Sequence, residues 1–463
     1  MTPVEGMRPD AIVAELIVLG GSVALLILGL FTSRERQWVV ALGTAAVLVA
    51  ALLATLVALA GPERLVFDGT YRIDALGRFA STVVLGSALL VVALSFRSVR
   101  AHARETEYYV LLLFATLGLL VLTAATDLML LVVAYLLSSV PLYTLTAFRK
   151  DRLGTEAAMK YLLMGALLGI VMLYGLALLY GAGGATAYGE LADGLTAGVA
   201  GALGVGLALS MAGLIFKLGA VPGHFWVPDV ADGAPAPVAA FVTTAPKIAA
   251  LAAASRLLVE IGPEALVDWR LGVALLAAAT MTLGNLAALW QDSARRLLAY
   301  STISHVGYML MAVVVLERID LAHSALLYYL LAYALMNVGA FAVVVALPRA
   351  HTLGDYAGLF RERPALAASL TVCLLSLIGI PPLAGFVAKL GVFTAAWDGG
   401  FAWLTVLAAV NTVVSIFYYA RWLVSVYGGD APDRPAEAIG MAVGVAHLSA
   451  VATLVVGLVG PFP

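Results

Sequence analysis

The chain is a succession of apolar runs, each long enough to cross a bilayer, joined by short charged connectors. A spanning helix needs about 20 apolar residues, and about fourteen such runs follow one another here. They lie near 10–31, 37–60, 76–97, 108–125, 127–148, 155–180, 195–219, 236–259, 270–291, 296–316, 321–347, 365–395, 401–425 and 436–460. Backbone groups cannot stay unpaired in hydrocarbon, and no barrel-type alternation is present, so each run is expected to be a helix. With 63% hydrophobic and 12% charged residues, the 463-residue chain has no length left for a soluble catalytic domain. The expected class is an all-α polytopic membrane protein.

A net charge of -2 argues against nucleic acid as a partner. The single cysteine, Cys373, rules out a disulfide framework and a thiol metal site. The start MTPVEGMRPD lacks a basic stretch and the first apolar run is long, so a retained span is expected, not a cleaved signal. Most basic residues outside the runs lie in connectors after odd-numbered spans, Arg34, Arg149, Arg295 and Arg434 among them. The positive-inside rule then places both termini outside the cytoplasm.

Three of the five lysines stand inside apolar runs: Lys217 in AGLIFKLGAVPGHF, Lys247 in FVTTAPKIAALAAA and Lys389 in GIPPLAGFVAKLGVF. A lysine at mid-bilayer costs about 2.5–3.5 kcal/mol on insertion, and ionisable residues at that depth are functional by default. Snorkelling fits poorly, because apolar sequence flanks each of them on both sides. Lysine is also the cation that exchanges its proton most readily when buried. These three are the leading candidates for a proton path.

Lys160 in GTEAAMKY follows Glu156 by four residues, the order that favours a helical pair. That pair is either a proton entrance or an ordinary helix-start pair at the interface. His305, set among Ser301, Thr302, Ser304 and Tyr308, is a candidate relay because a neutral imidazole donates and accepts at once. A packed, hydrogen-bonded histidine is the alternative. His224 is expected at the membrane interface, with Trp226 as an anchor and Asp229 ending the apolar stretch. His323 and His447 are expected to be structural, and Glu15 and Glu107 to be headgroup-level charges.

Two spans are expected to break. Pro222 interrupts KLGAVPGHFW, and Pro381 with Pro382 interrupts LIGIPPLAGF. Proline removes a donor and frees carbonyls at membrane depth, which is tolerated where protein or water covers them. Lys217 lies just before one break and Lys389 just after the other. The breaks are five spans apart, an odd number, so a repeat of that length is inverted in the membrane. Pro246, directly before Lys247, either opens its helix or is a harmless early-turn proline.

At HFWVPDVADGAPAPVAAFVTTAPKIA (224–249) the chain resembles the antiporter-like membrane subunits of respiratory complex I, subunit N most closely. Supporting stretches are LGTEAAMKYLL (153–163), LAYSTISHVGYMLMA (298–312), LLAYALMNVGAFAVV (330–344) and the run 354–393, within a resemblance covering roughly 100–425. The resemblance implies a three-helix segment over 1–100 and a five-helix unit over 101–260. A second, inverted unit over 261–426 and a last helix over 427–463 complete fourteen transmembrane helices, with the seventh and twelfth broken. It also implies a proton path through Lys217, Lys247 and Lys389.

The implied partners are the other membrane-arm subunits and the lipid bilayer. NADH, FMN, iron–sulfur clusters and quinone would belong to those other subunits, with no cofactor or metal bound by this chain. No nucleotide-binding loop or hydrolytic triad is present, which agrees with a subunit that has no redox centre of its own.

One position departs from the family. Its fifth helix carries a pattern like E-L-x-S-L-x-L-Y, whose glutamate partners the seventh-helix lysine. Here the stretch is LLSSVPLY (136–143), with Leu136 in that place. Asp127 lies nine residues earlier, about 13 Å along a helix and too far to stand in. The expected function is proton export across the cell inner membrane, coupled to quinone reduction elsewhere in an NADH-quinone oxidoreductase. The alternatives are an Mrp-type cation/proton antiporter subunit and a non-conducting structural subunit of a complex I-like or membrane hydrogenase complex.

Overall fold

The computed structural model of the chain describes residues 6–195, 200–262, 268–429 and 440–460. Arg434, one of the residues used for orientation, lies outside the described residues. The first helices are α1 (Val13–Phe31), α2 (Trp38–Ala58) and α3 (Ala75–Val99), with a hairpin of β1 (Arg64–Val66) and β2 (Tyr71–Ile73) before α3. Next come α4 (Glu105–Ala124), α5 (Leu128–Thr146), α6 (Arg152–Gly183), the short α7 (Tyr188–Gly194), α8 (Ala200–Leu218), the short α9 (Trp226–Gly233) and α10 (Ala236–Ile261). The rest is α11 (Arg270–Ala288), α12 (Ala294–Val314), α13 (Asp320–Ala346), α14 (Leu359–Glu362), α15 (Pro364–Ile378), α16 (Ala384–Asp398), α17 (Ala402–Tyr427) and α18 (Gly440–Val459).

Among the described residues, thirteen helices have the length and hydropathy of a membrane span. The half-length α15 and α16 together fill the remaining expected crossing, 365–395. The protein is a multi-pass membrane protein, and its spans fall within a few residues of those expected. The hairpin and the short helices α7, α9 and α14 were not expected, because none has a hydropathy signature of its own.

Local chemistry sets several helix starts. The Asp74 carboxylate accepts from the Gly77 N–H ahead of α3, and Asp151 accepts from Gly154 ahead of α6. Asp127, already too distant in sequence to partner Lys217, is engaged at the Met129 and Leu130 N–H groups that open α5. Each satisfies donors that a helix start leaves orphaned.

Both expected breaks are present. After α8 the chain turns at Gly219 (φ 68°), and after α15 at Gly379 (φ 94°), a left-handed backbone that glycine adopts without strain. The prolines at 141 and 246 behave differently, lying inside continuous helices. Pro246 therefore neither opens α10 nor sits in its first turn.

The most apolar stretch of α10 is wholly buried and that of α12 almost so, whereas α1 and α2 expose most of theirs. Polar groups on the central helices are thus surrounded by protein, not lipid, where neighbouring helices can satisfy them. The expected division into inverted five-helix units stays a proposal, taken up below.

Candidate functional site

The site begins where α8 ends. A helical carbonyl normally accepts from the N–H four residues on, and for Leu218 that residue is Pro222, which has none. The Lys247 ammonium, from the middle of α10, takes the free Leu218 carbonyl at 2.7 Å. The same relation recurs in the second break. Ile378 lies four residues before Pro382, and its carbonyl accepts from Lys389 on α16 at 2.8 Å.

Lys217, in the last turn of α8, donates to Ser138 Oγ at 2.7 Å and Ser139 Oγ at 2.8 Å. All three lysines are buried. Each lies over an aromatic ring: Lys217 over Tyr135, Lys247 over Trp226 and Lys389 over Tyr308, at 4.9, 5.4 and 4.6 Å from the centroids. Among the described residues, no carboxylate pairs with any of them.

Leu136, the position of the family glutamate, is 49% exposed, and the two serines further along α5 reach Lys217 instead. Gly118 on α4 sets their placement. A Cβ there would collide with the Ser138 backbone, so its absence lets α4 and α5 touch at this level. Sequence reasoning missed the serines because a hydroxyl in an apolar helix usually bonds its own backbone.

Between Lys247 and Lys389 runs a buried string of neutral polar groups. Thr243 and Thr244, one turn before Lys247, accept from Asn337 Nδ2 on α13 at 3.1 and 2.8 Å. Tyr333, one turn earlier on α13, donates to the Thr243 carbonyl at 2.6 Å and lies 3.0 Å from Thr302 Oγ1. Thr302 shares a face of α12 with His305, one turn on, whose Nδ1 is 2.9 Å from the Tyr329 hydroxyl. The His305 ring also stands 5.9 Å from that of Tyr308, the residue beneath Lys389. Beyond Tyr308 the string continues through Asn285 to Asn411 and Tyr418. Residues more than a hundred positions apart meet here, which no local pattern foretells.

Glu156 and Lys160 form the expected pair at 2.8 Å, at an exposed edge of α6. Asp229 on α9 joins them, bonding Lys160 at 2.8 Å and Arg296 of α12 at 2.8 Å. Burial opposes ionisation of the Asp229 carboxyl, yet the hydrogen bonds from Lys160 and Arg296 hold it below the usual carboxylate range.

The reading of Trp226 as an anchor beside His224 is corrected. Both are buried, because the chain after the α8 break folds back as α9 against α6, α10 and α12. Trp226 stacks on Tyr161 with centroids 4.2 Å apart and donates to the Phe216 carbonyl, so it is a wall between the Lys160 edge and Lys247. The junction between α9 and α10 is held from outside: Arg149 donates to the Gly233 and Ala234 carbonyls, and Ser293 to Asp232. Of the other histidines, His447 bonds Ser369 at 2.7 Å. Among the described residues, no three His, Cys, Asp or Glu side chains gather as a metal site.

Residues 125–415 match the family described as NADH:quinone oxidoreductase/Mrp antiporter, transmembrane. The chain belongs to this family. It is 51% identical to NADH-quinone oxidoreductase subunit N 1 of Streptomyces griseus over 429 residues, covering 93% of this chain and 89% of that one. It is 44% identical to NADH-quinone oxidoreductase subunit N of a Mycobacterium species over 467 residues, covering 100% and 99%. A chain of respiratory complex I from Thermus thermophilus superposes with a TM-score of 0.84 at 35% identity, over 96% of this chain and 97% of that one. The resemblance to subunit N is therefore borne out, and the chain is an antiporter-like membrane subunit of that type. The family match contains Lys217, Lys247, Lys389 and His305 but none of α1, α2 or α3.

Proposed function

We propose that this chain carries protons through the membrane arm of an NADH-quinone oxidoreductase, driven by quinone reduction in neighbouring subunits. The observation that carries the reading is the set of three buried ammonium groups resting on neutral oxygens: two serine hydroxyls, the Leu218 carbonyl and the Ile378 carbonyl. A carboxylate partner would hold a lysine charged. Hydroxyl and carbonyl partners leave each lysine's charge to be set by hydration and by the next lysine along.

Lys217 loads from the cytoplasmic side, where the Glu156–Lys160–Asp229 edge serves as entrance. Lys247 relays, His305 and the Tyr333–Asn337 string bridge the middle, and Lys389 releases. The two breaks belong to inverted five-helix units, α4 to α10 and α11 to α17, which explains why each presents a freed carbonyl to a lysine. NADH, FMN, iron–sulfur clusters and quinone would be held by the other subunits, and this chain holds no redox centre. It lies in the cell inner membrane with both termini outside.

The test is the number of protons taken up by inverted vesicles per NADH oxidised, with and without sodium, in wild type and Lys217→Met at matched assembly. The reading expects a lower ratio in the variant and no sodium dependence. The family description also covers Mrp antiporters. That second reading expects sodium-dependent proton flux without quinone chemistry.

A further inference from the structure

Away from the lysines, where α1 begins and α2 ends, a cleft of about 450 Å³ opens between α1, α2 and α3, with β2 as its floor. One wall is apolar and built from the last turns of α2: Leu53, Ala54 and Val57. The other carries both signs of charge: Glu15 from the first turn of α1, Asp10 just before it and already paired with Arg8, and Arg72 and Arg78 on either side of the start of α3. Leu53 and Val57 are exposed, and α1 hides the smallest share of any candidate span, so the cleft opens on an outer apolar face of the chain.

Its charged groups are fixed but partly exposed. Arg78 grips the Gly61 and Pro62 carbonyls, and Arg72 pairs with Glu260 of α10 at 3.1 Å. The Nε of each guanidinium is enclosed by protein, but the exposed part of each side chain lines the cleft, where a phosphate oxygen is a natural acceptor. Glu15 is engaged by the Tyr71 hydroxyl at 2.6 Å and, although expected to be an ordinary headgroup-level charge, forms part of the cleft wall.

We infer that this cleft holds a phospholipid with a primary-amine headgroup. The phosphate sits on Arg72 and Arg78, the ammonium on Glu15, and an acyl chain lies along Leu53, Ala54 and Val57. The mixed charge decides the class. An anionic lipid without an amine satisfies the arginines but offers Glu15 nothing, and a choline headgroup brings it charge without an N–H donor, whereas a primary ammonium brings both. Through Arg72 and Glu260 the bound lipid would brace the far end of α10, the helix that carries Lys247. This site is independent of the proton-transfer reading.

The test uses the purified complex with the full-length chain, reconstituted into vesicles carrying diazirine-labelled phosphatidylethanolamine or diazirine-labelled phosphatidylglycerol. Crosslinked peptides are mapped by mass spectrometry, with the exposed Val406–Val410–Val413 face of α17 as internal control. In wild type the ethanolamine probe is expected to label α1 and α2 peptides about fivefold more than the glycerol probe, while α17 labels equally with both. Ala54→Phe fills the apolar wall and should bring ethanolamine labelling of α1 and α2 down to the α17 level. Glu15→Gln should abolish the preference for the amine. Equal labelling by the two probes in wild type, undiminished labelling in Ala54→Phe, or a preference that survives Glu15→Gln would each overturn the assignment and leave the cleft as ordinary lipid boundary.

Discussion

Lys247 donates to the carbonyl of Leu218 across 2.7 Å, tying the middle of the most buried helix to the broken end of α8. The acceptor exists because Pro222 offers no N–H to it, and the approach is open because Gly219 has no side chain. A Cβ at Gly219 would lie 2.8 Å from the lysine nitrogen and 2.6 Å from Val227 Cγ2.

Gly219→Ala is therefore expected to damage function without touching a titratable group. The left-handed backbone and the two close contacts cost about 1–3 kcal/mol, relieved by displacing Lys247 from Leu218. Proton uptake per NADH should fall while the assembled complex is still recovered. Normal uptake would mean that the Lys247–Leu218 contact is incidental.

The Lys217 hydroxyl pair gives a second prediction. Hydrogen bonds to a charged group contribute about 1.5–3 kcal/mol each, so Ser138→Ala with Ser139→Ala should lower the melting temperature of the complex and slow pumping. Leu136→Glu should not rescue pumping in that double variant, because the side chain at 136 is 49% exposed and the serines, not Leu136, reach the lysine.

How much of this was legible in the sequence differs by residue. Hydropathy alone locates the spans, since the bilayer imposes one length on every crossing. Pro222 and Pro382 announce the breaks, and the rarity of buried charge singles out Lys217, Lys247 and Lys389. Ser138, Ser139, Asn337 and Tyr333 carry no such signal, because a hydroxyl or amide in a helix reads the same whether it faces a lysine or its own backbone. Trp226 was misplaced for a related reason. An aromatic at the end of an apolar run looks like an interfacial anchor until the chain is seen to fold back as α9.

Asp229 supplies a prediction in pH. Its carboxyl is held below the ordinary range by Lys160 and Arg296, so it binds fewer protons folded than unfolded. The stability it contributes is present above the unfolded value, about pH 4, and is lost as pH falls through the lower folded value. Thermal melts of the complex should show that acid loss in wild type and a shallower one in Asp229→Asn.

The ion pair between part-buried Asp74 and buried Arg256, 2.6 Å apart, fastens the N-terminal helices to α10. Asp74→Asn leaves the guanidinium with Glu260 at 3.7 Å as its remaining acid partner. The expected loss is about 3 kcal/mol, read as weaker assembly or a lower melting temperature. An unchanged melt would place the anchoring of these helices elsewhere.

The central claim is that the lysine line conducts. Its most direct measurement is quinone-linked proton uptake into inverted vesicles, comparing wild type with Lys247→Met after assembly has been shown to be equal. A drop in protons moved per NADH, or in turnover together with pumping, is the predicted result. An unchanged ratio at unchanged turnover would contradict the account and make the chain a scaffold for proton paths in other subunits.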